Sequence, residues 1–292
     1  MVWWDRQVYG AKYTNMRIKD YWEKNPPQVW YSDKEPLSNE WFNEIEYKRY
    51  KLYYPYLPEV AEFENHPGET VLEVGVGVGT DLLQYAKNGS RVFGIDLTER
   101  AVELTKKNLS RHNTPLNISI DSVTKLPFNN SVFDLVFCFG VLHHVLDTEK
   151  AINEIYRVLK PNGKAIVMLY APGWKHFVKR IFIQGMLRGD LFRLGYRGLI
   201  NKHTEVNGNS PLTKVYFRPR KLFKKFGEAE VTRHRLGEYF DYAPYNSWKF
   251  PRWFVNLLYL FNLEAIVGEN WIIKATKGKK QKLSFWKTLL KP

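Results

Sequence analysis

The chain predicts an α/β fold built on a doubly wound, mostly parallel sheet, and two features carry that expectation. From Thr70 onward, short apolar runs alternate with amphipathic stretches: strand 71–74, helix 80–88, strand 91–96, helix 99–112, strand 117–121, strand 133–139, helix 148–159 and strand 164–170. Strands joined through helices run parallel, with the helices laid on both faces of the sheet. The second feature is Val71-Leu72-Glu73-Val74-Gly75-Val76-Gly77-Val78-Gly79-Thr80-Asp81, an apolar strand that runs into three alternate glycines and then a helix start. Side chains at such a turn would obstruct a ligand or the turn itself, so the glycines bring bare backbone against a ligand.

The first strand also hints at the ligand. A dinucleotide fingerprint reads G-x-G-x-x-G, but Thr80 stands where its third glycine would fall. Glu73, two residues before Gly75, would repel a pyrophosphate and suits a cationic ligand. The second strand ends in Asp96, 21 positions after Gly75, at the distance expected of an acid that takes ribose hydroxyls. The third strand runs into Asp121 and Ser122. The fourth holds Cys138, the single cysteine of the chain, and leads through Phe139-Gly140-Val141-Leu142 into His143 and His144. Adjacent side chains cannot both face one site, and His144 is preferred over His143 as a base of ordinary pKa. Packing or capping of the next helix is the alternative role for both.

With E-x-G-x-G-x-G followed by a strand ending in Asp, the chain resembles the class I S-adenosylmethionine-dependent methyltransferases, especially the ubiquinone/menaquinone-type small-molecule enzymes. The resemblance runs through Ile118–Ser122, Leu126-Pro127-Phe128, Val132–Val136 and Phe139–Val145 to the turn at Leu159–Gly163, and so covers residues 70 to 170. It implies a Rossmann-like sheet of seven strands, completed by a helix at 219–226 and strands at 229–236 and 270–276. Insertions of roughly 45 and 30 residues, longer than ordinary connections, would separate these and carry substrate specificity. It implies S-adenosyl-L-methionine as cofactor and S-adenosyl-L-homocysteine as product. Glu73, Gly75, Gly77, Gly79, Thr80, Asp81, Asp96, Leu97 and Phe139 would hold the cofactor, and Asp121 and Ser122 would meet its adenine.

The expected organisation is a cap over residues 1–69, a cofactor-binding core over 70–170, completion of the sheet with insertions over 171–277, and a basic tail over 278–292. The cap is rich in aromatics, and Glu40 to Tyr54 has a helical pattern. Tyr13, Tyr21 and Tyr31 are candidates to enclose the sulfonium or the substrate, since aromatic faces attract positive charge. Asn25-Pro26-Pro27-Gln28 reads as a turn. It lacks the closing aromatic of the N/D-P-P-Y motif and precedes the glycine loop, which argues against nucleic-acid adenine methylation. No metal is expected, because the seven histidines and one cysteine show no H-x-x-x-H or C-x-x-C spacing.

The net charge is +14, concentrated in 175–197, 218–225 and 274–291, and it invites an anionic partner. Trp174 to Ile183 mixes bases with large apolar residues, as do 250–261 and the tail. Such segments suit a peripheral contact with an anionic membrane as well as a substrate lid. Met1 to Arg6 lacks the sections of a signal peptide. The apolar stretch Trp253 to Gly268 is interrupted by Asn256, Asn262 and Glu264 and falls short of the ~20 residues a spanning helix needs. A cytoplasmic enzyme acting on a small-molecule or lipid-like acceptor is the leading expectation. The alternatives are an RNA methyltransferase, which the charge motivates but no RNA-binding module accompanies, and a catalytically silent cofactor-binding module.

Overall fold

The computed structural model describes residues 11–205, 207–234 and 268–278. Within them the chain first builds three helices, α1 (Ala11–Lys24), α2 (Asn39–Lys48) and the short α3 (Leu57–Ala61). Ser38 starts α2 by accepting the amide of Trp41, which satisfies one of the donors that a helix start leaves open. The helical pattern of Glu40–Tyr54 divides: α2 ends at Lys48, and a wider helical turn carries Arg49–Tyr53 onward. Tyr31, Trp41, Phe42 and Ile45 pack with Val78 and Leu104, so this region is seated directly on the glycine loop and the helix behind it.

The sheet has seven strands: β1 (Thr70–Val74), β2 (Arg91–Asp96), β3 (Ile118–Ile120), β4 (Phe133–Phe139), β5 (Leu159–Tyr170), β6 (Glu228–His234) and β7 (Asn270–Thr276). Their order is β3-β2-β1-β4-β5-β7-β6, with β7 antiparallel to both neighbours and the other pairings parallel. All five residues of β1 are buried, as a central parallel strand covered on both faces requires. Leu72 lies between Phe93 of β2 and Val136 of β4.

Helices α4 (Thr80–Lys87), α5 (Glu99–Ser110) and α6 (Thr148–Val158) cover the sheet. On α6 the buried positions Ala151, Ile152, Ile155 and Val158 recur at helical spacing, so one stripe meets the core and the other faces water. The two faces of the sheet carry separate apolar clusters, one around Val136, Ile155 and Val167 and one around Leu83, Tyr85 and Phe137.

Most boundaries fall within two residues of the sequence expectation, and two differ by more. β5 begins at Leu159 rather than residue 164, because the turn at Asn162, with φ 64°, stays tied to the sheet: the Asn162 amide donates to Lys277 O and the Lys277 amide to Gly163 O. The helix expected over 219–226 is a single tight turn, Pro219–Phe223, whose Phe223 is buried. The strand expected over 229–236 begins at Glu228 and is described as far as His234; residues 235 and 236 lie outside the described residues. The first insertion forms a helical hairpin of His176–Leu187 and α7 (Asp190–His203), the latter kinked at Gly195. The second insertion, the 253–267 part of the apolar stretch and the tail beyond Gly278 lie outside the described residues. None of the described helices is long and apolar enough to cross a membrane.

The strand order reverses between β1 and β4. In open α/β sheets the crevice at such a switch point, outside the carboxyl ends of the strands, is where ligands bind.

Candidate functional site

The carboxyl ends of β1, β2 and β4, the N-terminal helices and the helical hairpin enclose a cavity of about 2000 Å³. Drug-sized sites take roughly 300–1,000 Å³, so this one has room for two ligands together.

The glycine loop forms its floor, and each glycine is required by a different neighbour. All three have positive φ, a region that only glycine enters freely. A Cβ on Gly75 would stand 2.2 Å from Val141 of the loop after β4. On Gly77 it would lie 3.1 Å from Pro27 of the N-terminal region, and on Gly79 it would lie 2.8 Å from Thr105 of α5. Gly75 and Gly77 line the cavity, as do Glu73, Asp81, Asp96, Leu97, Asp121, Ser122 and Phe139. Gly79 and Thr80 fall outside its wall. Gly79 is packed on α5, and the Thr80 hydroxyl donates to Gln28 Oε1 at 3.0 Å.

Acids dominate this floor. Glu73 is buried and its Oε2 has no hydrogen-bond partner. Burial, and then the charge of Asp81, push its carboxyl well above the usual range. Asp96 is committed on both oxygens: Oδ1 accepts the amide and hydroxyl of Thr98 at 3.0 and 2.8 Å, and Oδ2 accepts the Gly77 amide at 3.3 Å. Burial raises its carboxyl, and these bonds oppose the rise. The Asp121 amide is tied to Asp96 O, and the Ser122 hydroxyl lies 2.9 Å from that of Thr124.

Asp81 faces a buried partner. Arg49 grips its carboxylate with two donors, Nε to Oδ1 at 2.7 Å and a terminal nitrogen to Oδ2, and the Tyr50 hydroxyl donates to Oδ1 at 2.8 Å. Burial works against the guanidinium charge, but Asp81 outweighs it and holds Arg49 well above its ordinary value. The Tyr54 and Phe139 rings each lie 5.3 Å from the guanidinium carbon. The pair joins the turn after α2 to the start of α4.

Residues of the N-terminal region line the cavity as well. Asn25, Pro26, Pro27 and Gln28 all line the cavity; the turn read there from sequence is therefore part of the wall. Tyr21 and Tyr31 line it too. Burial and then Glu205 push the Tyr21 hydroxyl up to about 12, and it donates to Gly208 O at 3.0 Å. Tyr31 stacks on Tyr53 at 4.2 Å. The side chain of Tyr13 lies outside the described residues.

The loop after β4 separates the two histidines. His143 is fully buried behind the wall, stacked on Tyr170 at 3.7 Å, and neither ring nitrogen meets a hydrogen-bond partner. His144 lines the cavity, with Trp22 edge-on at 4.8 Å. Its Nδ1 donates to Leu212 O at 2.8 Å and its Nε2 lies 3.5 Å from Glu205 Oε1.

Residues 72–167 match the methyltransferase domain family. They supply the strands and loops that build this floor. The chain is 30% identical over 132 residues to demethylmenaquinone methyltransferase of Streptomyces avermitilis, covering 44% of this chain and 55% of that protein. It is 34% identical over 110 residues to phosphoethanolamine N-methyltransferase 2 of Caenorhabditis elegans, covering 37% and 25%. The matches thus span a quarter to about half of these relatives' length. Among solved structures, magnesium protoporphyrin IX methyltransferase of Synechocystis PCC 6803 aligns with a TM-score of 0.53 at 15% identity, over 90% of this chain and 99% of that one. Phosphoethanolamine N-methyltransferase 2 of Haemonchus contortus aligns with the same TM-score at 18% identity, over 90% and 60%. Both share the fold.

Around the methyltransferase domain, the residues that sequence reasoning missed come from outside residues 72–167. Arg49 and Trp22 sit in helical segments whose aromatic and basic composition gives no sign of which side chain turns inward. Glu205 follows α7 and reaches His144 only because the hairpin folds back over the cavity. The Pro26-Pro27 pair was legible as a turn, but its seat on Gly77 depends on the packing of the whole N-terminal region.

Proposed function

We propose that the chain transfers a methyl group from S-adenosyl-L-methionine to a small-molecule or lipid-like acceptor. The observation that carries this reading is Glu73 Oε2, a buried acceptor atom without a partner, on the cavity wall beside bare glycine backbone. An orphaned buried carboxylate oxygen is costly unless a ligand completes it, and the ammonium of an amino acid moiety is such a ligand. The residues present fit the cofactor in other respects. Asp96 is positioned by Thr98 and Gly77 for ribose hydroxyls, and Asp121, Ser122 and Leu97 offer a wall for the base.

The cofactor supplies an electrophilic methyl on a positive sulfur. The chain's residues bind, orient and keep out water. Asp96 and Glu73 fix the two ends of the cofactor, Gly75 and Gly77 let it lie on backbone, and Pro26 and Pro27 with Tyr21 and Tyr31 exclude water. The acceptor occupies the remaining volume toward His144 and Glu205, where a proton leaving the acceptor would be taken up.

Lys175, which meets Glu269 at 3.3 Å, Lys179 and Arg180 line the cavity, and this group of bases favours an acceptor with an acidic group. The hairpin that carries them exposes Phe177, Phe182, Leu187 and Phe192. Bases beside exposed apolar side chains suit a helix lying on an anionic lipid surface, so delivery of a lipid-like acceptor from a membrane belongs to the same reading.

The test is calorimetric titration with S-adenosylmethionine, S-adenosylhomocysteine and NAD. One-to-one binding of the first two with no response to NAD is the expected result. Binding without methyl transfer to any of a panel of acidic and apolar acceptors would move the silent-module reading forward, and no binding would remove both.

A further inference from the structure

Behind the loop after β4, three metal-ligating side chains converge. His143, His144 and Glu205 each offer one donor atom within 4.8 Å of the other two. A carbonyl oxygen only accepts, so the contact of His144 Nδ1 with Leu212 O at 2.8 Å places the proton on Nδ1. Nε2 then presents a lone pair to Glu205 Oε1 at 3.5 Å. In a buried setting, two acceptors facing each other repel unless positive charge lies between them.

The neighbouring atoms carry the same defect. Both ring nitrogens of His143 and Oε1 of Glu205 are buried with no hydrogen-bond partner. Such atoms are rare, and each calls for an explanation. A proton shared by His144 and Glu205 would account for that pair and leave His143 unexplained. One cation takes a donor atom from each of the three residues, including one of the two orphaned nitrogens of His143. Nitrogen and oxygen ligands at about 2.0–2.2 Å from a tetrahedral ion stand about 3.4 Å apart, close to the His144–Glu205 separation. The Leu212 carbonyl orients His144 in the way outer partners commonly orient metal-bound imidazoles.

We propose that His143, His144 and Glu205 form a three-ligand site for a divalent transition cation of the zinc type. His144 and Glu205 line the cavity while His143 closes the back, so the fourth coordination position opens on the cavity, where water or an oxygen of the acceptor fits. Only that last clause rests on the methyl-transfer reading; the site stands on its own geometry.

The experiment takes the full chain, stripped with a chelator, and titrates Co²⁺ by visible absorption and Zn²⁺ by calorimetry. One ion per chain, with the intense absorption of a four-coordinate centre, is expected. Glu205→Gln and His143→Gln should each weaken binding by tenfold or more, while circular dichroism and S-adenosylmethionine titration verify that the variants are folded. Absence of stoichiometric binding, or binding unchanged in both variants, overturns the site and returns His144 and Glu205 to a proton-sharing pair. Loss of S-adenosylmethionine binding in the unmodified chain, with cation binding intact, would sink the methyl-transfer reading and leave the cation site standing.

Discussion

Glu73 is a carboxyl that the fold holds at a cost and a ligand can relieve. Its pKa is raised in the folded chain, so ionising it there is harder than in the unfolded chain. Its contribution to stability therefore declines as pH climbs from the ordinary carboxyl range through the folded value. Glu73→Gln should raise the melting temperature of the ligand-free protein at neutral pH, by roughly 2–4 °C for each kcal/mol gained. The same variant should lose at least tenfold in S-adenosylmethionine affinity. Because an arriving ammonium favours the ionised acid, cofactor binding should release a proton and strengthen with pH. Titrations in buffers of different ionisation enthalpy read that proton directly, and an enthalpy independent of buffer would count against it. Gly79 gives a purely structural contrast. With φ 78° and Thr105 Cα 3.0 Å from the position of a Cβ, Gly79→Ala should cost roughly 1–2 kcal/mol from backbone conformation alone and more from displacing α5, visible as a lower denaturation midpoint. The difference between these residues was partly legible: the glycines, Glu73 and Asp96 announce themselves by order and spacing. That Gly79 serves α5 rather than the cavity was not, since the spacing of glycines does not say which neighbour crowds each one.

At the scale of elements, the join between the turn after α2 and the start of α4 rests on the buried Arg49–Asp81 pair. Removing one partner leaves the other charged and buried, which typically costs 3–5 kcal/mol. Arg49→Met should therefore destabilise strongly, and all the more because Asp81 then raises the field on Glu73. Arg49→Met combined with Asp81→Asn should recover much of the loss, and a double-mutant cycle by chemical denaturation measures the coupling. Additive effects would mean that the two groups act independently. The sheet and its helices were legible because strand and helix periods alternate cleanly from Thr70 onward. The N-terminal elements were legible only as aromatic and helical, since their burial is set by the glycine loop they sit on, far along the chain. The helix expected over 219–226 shrank to one turn for a similar reason: Phe223 and Phe226 are drawn into the sheet's apolar cluster, and this fixes the segment's position without requiring a regular helix.

For the whole molecule, the charge of +14 and the exposed apolar side chains of the hairpin predict an association with anionic vesicles. Co-sedimentation with vesicles containing phosphatidylserine should exceed that with neutral vesicles and weaken as ionic strength shortens the screening length. A Phe182→Ser/Phe192→Ser variant should lose most of it while still binding S-adenosylmethionine. Equal sedimentation with neutral vesicles would argue that charge plays no part. The sequence displayed this charge openly but not its arrangement, because the hairpin that presents it is set by contacts among its own helices.

The strand order carries one more consequence, for the order in which the chain can fold. β7 lies between β5 and β6, yet it is made last, from Asn270 onward, while β5 ends at Tyr170. Until β7 emerges during synthesis, the outer edge of β5 and both edges of β6 have no strand to bond among the described residues, which leaves an open template for pairing with another chain. Contacts that bridge so much sequence close slowly, so the domain waits on its last strand. A chain stopped at residue 268 should aggregate on release from the ribosome rather than persist as a smaller folded core.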